Sequence, residues 1–278
     1  MVGTLRSASR DLSGSNSAAC TSIMARALVT AAHSVDTKDA GVASETVRAE
    51  DPIRLDSTMP ALIFDLDGTL VDTVYAHVFA WQRALAEAGL PLDGWRIHRR
   101  IGMSGGLFTR AVARELARPL TPSEVEAIQA RHGHLFRELL PERRPLPGAV
   151  ELLAELRTAD VPFGIATSGR RPEIDASLEA LGLGSETVVV ERGDVERAKP
   201  EPDLFLACAA QLTVSPEECY VVGDAVWDLL AARRARMLSI GILSGGYGEE
   251  ELARAGAFRV YRDTSELRES LDELGVLS

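Results

Sequence analysis

Lysine is almost missing from this chain. Of its 30 basic residues only two are lysines, Lys38 and Lys199, and the rest are arginine. Either the choice at Lys199 is chance, or that position needs a compact point charge on a flexible stem. Cysteine is also scarce. Cys20, Cys208 and Cys219 have no metal-type spacing, which argues against a zinc site of ordinary pattern. They read as small buried hydrophobes in a reducing, cytoplasmic compartment. No window approaches the roughly 18 apolar residues of a membrane span, so no membrane partner is expected. Positive charge is in deficit. A net charge of −11 argues against nucleic acid or an anionic membrane as partner. An anionic ligand must then be held by local positive charge working against the global field.

The rest of the composition is ordinary. A hydrophobic fraction of 46% and a charged fraction of 26% are those of a soluble globular protein. The length of 278 residues allows one large domain or two smaller ones, and internal repeats are not evident. Residues 1–58 are rich in Ser, Ala and Thr and read as a disordered tail. Its early arginines, Arg6, Arg10 and Arg26, give it a faint likeness to a transit peptide, but a loose tail, or translation starting at Met59, accounts for it more simply.

One stretch organises the chain: Ala61-Leu62-Ile63-Phe64-Asp65-Leu66-Asp67-Gly68-Thr69-Leu70-Val71-Asp72-Thr73. Four apolar residues predict a buried strand, and Gly68 lets the backbone turn. On a strand, positions i and i+2 share one face, so Asp65 and Asp67 point into one small space at its C-terminal edge. Two anions so close raise each other's pKa unless a cation sits between them.

A helix over 74–88 comes next, with Val74, Val78, Trp81 and Leu85 on one face. Thr121-Pro122-Ser123-Glu124 predicts a helix start with a capping box. His132 and His134 lie on that helix two residues apart, on different faces, which speaks against a two-histidine metal site. Between the helices, Arg99 to Gly106 reads as a flexible glycine-rich loop. From Pro147 strands and helices alternate: strands at 161–166, 187–190, 219–222, 238–242 and 258–261; helices at 148–159, 172–181, 202–212, 226–236, 249–255 and 265–274. The pattern predicts an α/β fold, a Rossmann-like parallel sheet with helices on both faces. An all-helical insertion, residues 76–146, splits the core domain of 59–75 and 147–278. Such sheets bind ligands at the C-terminal ends of their strands.

Polar residues converge at those ends: Asp65 and Asp67, Thr167 and Ser168, Lys199 before a helix, and Asp224 with Asp228 one helical turn on. Hard oxygen ligands with open positions suit Mg²⁺. A lysine and a metal neutralise a phosphoryl group, while a hydroxyl and backbone N–H groups hold its oxygens.

In four motifs the chain resembles the haloacid dehalogenase superfamily of phosphoryl-transfer enzymes. They are Asp65-Leu66-Asp67-Gly68-Thr69-Leu70-Val71-Asp72, Ile165-Ala166-Thr167-Ser168, Lys199-Pro200, and Val222-Gly223-Asp224-Ala225-Val226-Trp227-Asp228. The insertion resembles the helical cap of the subgroup that holds phosphoglycolate phosphatases and β-phosphoglucomutases. The resemblance implies Asp65 as nucleophile, forming an aspartyl-phosphate, and Asp67 as acid and then base. It implies Mg²⁺ on an Asp65 side-chain oxygen, the Asp67 main-chain carbonyl and Asp224. Thr167 and Ser168 would hold phosphoryl oxygens, Lys199 would neutralise Asp65 and the transferring group, and Asp228 would orient Lys199 or reach the metal through water. As an acid, Asp67 is expected to hold its proton well above the ordinary carboxylate range.

The resemblance also prunes. Dehalogenases differ at Asp67 and lack the metal set. Phosphonate-cleaving members need a cap lysine, and residues 76–146 contain none. β-Phosphoglucomutases share a cap histidine and tryptophan spaced like His77 and Trp81, but carry arginine where Gly105 follows Ser104. The expectation is a Mg-dependent phosphatase acting on a small phosphorylated metabolite, with a sugar-phosphate mutase as the alternative and a catalytically silent binding module behind both. His77 is divided between a structural role and a substrate-binding one. Gly105, in the Gly102–Gly106 loop, is the candidate for substrate selection, and Trp227 is expected to pack rather than to touch substrate.

Overall fold

A computed structural model describes residues 60–277. The expectations for residues 1–58, including Cys20 and Lys38, fall outside the described residues. Ala61–Phe64 forms the first strand, β1. All four residues are fully buried, as a parallel strand covered on both faces requires. Their side chains alternate. Leu62 and Phe64 pack with Ile165, Val222 and Ile240, while Ala61 and Ile63 pack with Leu204, Phe205 and Ala231. Burying an aromatic or branched side chain in this way contributes about 1.5–3 kcal/mol.

Five more strands join it: β2 (Phe163–Ala166), β3 (Val188–Val190), β4 (Cys219–Gly223), β5 (Leu238–Ile242) and β6 (Arg259–Tyr261). The order is β3-β2-β1-β4-β5-β6, and every pairing is parallel. The chain winds outward in one direction from β1 and in the other from β4. The crevice between their C-terminal ends is where such a sheet accepts a ligand. Register puts Phe64 beside Ile165 and Val222, so Asp65 emerges at that crevice.

Between β1 and β2 lie α1 (Val74–Glu87), α2 (Gly94–His98), α3 (Gly105–Glu115) and α4 (Pro122–Leu139), then α5 (Ala149–Thr158). The first four helices share a hydrophobic cluster of their own, with Val78, Trp81, Leu85, Phe108, Ile128 and Phe136 at its centre. The expected cap on α4 is present. Thr121 Oγ1 accepts from Glu124 N at 3.3 Å, and Glu124 Oε2 accepts from Thr121 N at 2.8 Å. The remaining helices are α6 (Asp175–Ala180), α7 (Asp203–Leu212), α8 (Val226–Ala235), α9 (Glu249–Ala255) and α10 (Thr264–Glu269). Leu152 of α5, Leu178 of α6 and Leu267 of α10 cover one sheet face. Leu204 of α7 and Ala231 of α8 cover the other.

Several boundaries differ from expectation, and β2 starts at Phe163, not 161. α6 starts at Asp175, not 172, because the amides of Glu173 and Ile174 both turn back to the Arg170 carbonyl. α10 stops at Glu269, and Leu271, Leu274 and Val276 continue into the core without a helix. The glycine-rich loop is shorter than expected. Phe108 N donates to Ser104 O at 2.9 Å, which draws Gly105 and Gly106 into the first turn of α3.

Candidate active site

Asp65 leaves β1 with its amide held by Val222 O at 2.8 Å. Three residues on, the chain must reverse, and Gly68 does so at φ +92, in the left-handed region that favours glycine. The turn places Thr69 so that its hydroxyl donates to Asp224 Oδ1 at 2.8 Å. Ser244 Oγ donates to Gly68 O at 2.6 Å and ties the turn to the end of β5. Asp224 follows β4 directly, so both strands that flank the crevice end in a carboxylate. On the first turn of α8, Asp228 Oδ2 accepts from Ala225 N at 3.0 Å.

Lys199 enters from the loop before α7 and is fully buried. Its Nζ donates to Asp65 Oδ1 and lies 2.9 Å from Asp228 Oδ1. The Phe205 ring stands 5.1 Å below it. Burial opposes the charge on Lys199, but Asp228 and Asp65 overcome it and raise its pKa. Burial pushes Asp65 up to about 7 against the pull of Lys199, with Asp228 and Asp67 adding repulsion. Asp224 is raised well above the ordinary carboxylate range by burial and by its neighbours Asp228 and Asp65.

These shifts share one cause. Three buried carboxylates, Asp65, Asp224 and Asp228, surround one lysine. Each offers an oxygen within 4.8 Å of the others. One ammonium does not balance three carboxylates, and hard oxygens at that spacing suit a divalent cation such as Mg²⁺. Gly245 adds to the fit: a Cβ there would stand 1.8 Å from Asp224 Oδ2, so the backbone closes against that oxygen. The donor set therefore fits the metal. The Asp67 side chain lies outside the cluster, and the metal contact expected of this residue is through its main-chain carbonyl.

Asp67 corrects one expectation. Its carboxyl is lowered, not raised. Burial does push it up, but the His77 ring, the Thr73 hydroxyl and Lys199 together outweigh burial. Thr73 Oγ1 donates to Asp67 Oδ1 at 2.8 Å, and His77 Nε2 lies 3.3 Å from the same oxygen. The expectation weighed burial and like charge alone. The two donors on the following helix turn reverse its sign.

A cavity of about 330 Å³ opens above these groups. Asp65, Asp67, His77, Gly105, Thr167 and Ser168 line it, whereas Lys199, Asp224 and Asp228 lie beneath. Arg100, Arg170, Arg171 and Arg192 also line it, with Glu126 and Glu173 among them; Arg100 pairs with Glu115 and Arg171 with Asp175. Thr167 Oγ1 accepts from Gly169 N at 3.0 Å. Ser168 Oγ donates to Gly102 O at 3.0 Å and so joins the β2 end to the helical insertion. Gly105 is tight: a Cβ would stand 3.1 Å from both Trp81 Cζ2 and Gln129 Oε1. Trp227 is outside the lining, with its Nε1 donating to Arg99 O at 3.2 Å, in accord with a packing role. Sequence reasoning did not find His132. It lines the cavity and lies 3.1 Å from His77, and the opposite-face argument shows only that His132 and His134 do not act together. Indeed His134 turns outward to Glu138.

Residues 59–236 match the model of the haloacid dehalogenase-like hydrolase family. The chain is 32% identical over 216 residues to a β-phosphoglucomutase of Bacillus subtilis, covering 75% of this chain and 92% of that protein. It is 33% identical over 216 residues to a phosphoglycolate phosphatase of Rhodospirillum rubrum, covering 74% of this chain and 88% of that one. A crystal structure of a hydrolase from Pseudomonas syringae superposes with a TM-score of 0.75 at 46% identity, covering 77% of this chain and 99% of that one. Motifs at the ends of three strands and in the loop before α7, one buried lysine among three carboxylates, and a family match over most of the described residues agree: this protein belongs to the haloacid dehalogenase-like hydrolase family.

Proposed function

We propose that the protein is a Mg²⁺-dependent phosphatase that hydrolyses a small phosphate monoester through a phosphoryl group carried on Asp65. The observation that carries the reading is the placement of Asp65. It lines the cavity on one side and has a buried lysine on the other. A carboxylate attacking a phosphate must overcome anion–anion repulsion, and positive charge fixed beside it makes the attack feasible. Bound on Asp65, Asp224 and the Asp67 carbonyl, with Asp228 behind, Mg²⁺ would supply charge neutralisation for the transferring group.

The chain's own residues do the rest. Asp65 forms a P–O bond as the ester P–O bond breaks, and Asp67, which takes up a proton when the phosphate anion of the substrate lies beside it, gives that proton to the departing oxygen. Asp67 then takes a proton from the water that attacks the phosphoryl group, which frees Asp65 and restores both carboxyls. Thr167, Ser168 and nearby backbone amides hold phosphoryl oxygens. Residues 76–146 act as a cap domain over the core of 59–75 and 147–278. Their separate hydrophobic cluster supports that division, as does the set of polar contacts between the two parts, among them His98 Nε2 with Gly245 O at 2.8 Å and Tyr247 OH donating to Arg99 O at 3.1 Å. Buried, unpaired Cys208 and Cys219 fit a reducing, cytoplasmic compartment. No helix among the described residues is long and apolar enough to cross a membrane.

The test is a screen of small phosphate esters with and without Mg²⁺, with product identification. Free phosphate in the presence of Mg²⁺ supports the phosphatase. Phosphate retained on an isomerised sugar supports the mutase, which the relative from Bacillus subtilis keeps in view. Against the mutase, Arg99 is engaged by Glu251 at 2.8 Å and Arg100 by Glu115 at 2.7 Å, so neither arginine is idle beside Ser104. No turnover on a broad panel sinks both readings.

Metal dependence has a stability signature. In the metal-free protein the Asp65 carboxyl titrates at about 7, against 3.8 unfolded. Below the unfolded value both states are protonated and no difference arises. Between the two values the unfolded chain releases a proton that the folded chain keeps, so stability falls as pH rises. Above the folded value the penalty is complete. Mg²⁺ competes with that proton. At a concentration about 100 times its dissociation constant it adds about 2.7 kcal/mol, or roughly 5–10 °C in Tm. The gain should be small near pH 5 and full near pH 8, as read by thermal unfolding. A gain that is flat or falls with pH contradicts the assigned ligands.

Gly105 sets the shape of the cavity wall. Gly105→Val forces a branched side chain against Trp81 and Gln129. Bulky esters should lose at least about 10-fold in kcat/KM relative to the smallest ones, the scale of one or two misplaced methylenes. Unchanged relative rates across the panel remove Gly105 from substrate selection.

A further inference from the structure

Asp67 Oδ1 is fully engaged. Thr73 Oγ1 donates to it at 2.8 Å, and His77 Nε2 stands at 3.3 Å. Oδ2 lies on the other side, toward the phosphoryl-holding loop, where a Cβ on Gly169 would stand 3.7 Å from it. The carboxyl is therefore oriented, with one oxygen anchored and one presented. The anchor holds only while His77 carries a hydrogen on Nε2.

What determines that hydrogen is the second ring nitrogen. His77 Nδ1 lies 3.1 Å from His132 Nε2. His132 comes from α4, 55 residues further along the chain. The rings are fixed by stacking: His132 on Trp81 at 3.9 Å and 14°, and His77 on Phe136 at 3.8 Å and 9°. Burial and the nearby His77 hold His132 well below the ordinary imidazole range, so it is neutral and carries one N–H. If His77 is neutral, the His132 tautomer with its hydrogen on Nε2 donates to Nδ1 and leaves the proton of His77 on Nε2, where Asp67 Oδ1 accepts it. If His77 is charged, Nδ1–H donates to His132 and Nε2 again keeps its hydrogen. In both states a hydrogen faces Asp67.

We propose that His132 is a positioning residue: through His77 it fixes the Asp67 carboxyl so that Oδ2 is the oxygen that exchanges protons with the leaving group and then with water. The proposal rests on the phosphatase reading. It is a second-layer arrangement of the kind that orients histidines at metal and catalytic centres.

His132→Phe keeps a ring in the stack and removes both nitrogens. His132→Gln returns an amide N–H near the place of Nε2. Each is compared with the unaltered protein on an alkyl phosphate, whose leaving oxygen needs a proton, and on p-nitrophenyl phosphate, whose leaving group departs as an anion. His132→Phe should lower kcat/KM on the alkyl ester by about 10–100-fold, the scale on which losing an outer-layer partner acts. It should lower kcat/KM on the aryl ester by less than about 3-fold, because kcat/KM ends with departure of the leaving group and leaves out the later attack of water, which both esters share. His132→Gln should recover most of the alkyl rate. Equal losses on both esters, or no rescue by Gln, overturn the proposal. A second readout needs no turnover. Imidazole ¹⁵N spectra of the metal-free protein should show hydrogen on His77 Nε2, and that signature should be lost or mixed in His132→Phe. An unchanged His77 spectrum overturns the proposal. If the unaltered protein turns over no ester, the phosphatase reading fails, while the spectra still decide whether His132 controls His77.

Discussion

Asp65→Asn should lose essentially all turnover, at least about 10⁴-fold, the scale seen when a nucleophile is removed from a set of groups that act together. The substitution changes little else. The amide matches the carboxylate in size, and its oxygen still accepts from Lys199, which donates to Asp65 Oδ1. It also removes one of three carboxylates packed within 4.8 Å. The metal-free variant should therefore unfold at a higher temperature than the unaltered protein near pH 8. Near pH 5 the Asp65 carboxyl, which titrates at about 7, already holds its proton, and the difference should nearly vanish. Activity and stability thus move in opposite directions. Phosphate release within about 10-fold of the unaltered protein would sink the nucleophile assignment, and a fall in Tm would sink the electrostatic account.

Much of this site is legible in the sequence because its parts are local. An apolar run that stops in Asp65-Leu66-Asp67-Gly68 states both a buried strand and two carboxylates at its edge. The same logic finds Asp224 after β4 and Thr167 after β2, and parallel pairing then brings the three edges together. The scarcity of lysine singles out Lys199, whose complete burial between Asp65 and Asp228 gives the physical reason. A compact ammonium there meets Asp65, Asp228 and the face of Phe205 at once.

The relations that sequence reading misses are between elements. His77 and His132 meet because α1 packs on α4, and no spacing along either helix encodes that meeting. The sign of the Asp67 shift depends on Thr73 and His77 turning toward it. Those residues are near in sequence, but their direction comes from the turn after Gly68 and the start of α1. Gly105 reads as a loop glycine, yet it sits in a helix. There its missing side chain matters for space against Trp81 rather than for backbone freedom.

Lys199→Met should damage both stability and chemistry, and a second substitution should separate the two. Methionine keeps the length of the stem against Phe205 and removes the charge. Asp65 and Asp228 then face each other in a buried space with no cation between them. Breaking a buried pair by removing one partner costs about 3–5 kcal/mol, or roughly 10 °C in Tm for a fold of this size. The loss should be greatest near pH 8, where carboxylates resist taking up protons, and smaller near pH 5, where protonation relieves the repulsion. Turnover should fall by at least about 10³-fold, since a fixed cation beside the transferring group is lost. Asp228→Asn added to Lys199→Met removes one uncompensated charge and should restore a large part of the stability. It should restore none of the turnover, because Asp65 still lacks its cation. If the double variant recovers both, Lys199 acts only to neutralise a buried acid cluster, and its place in phosphoryl transfer is lost.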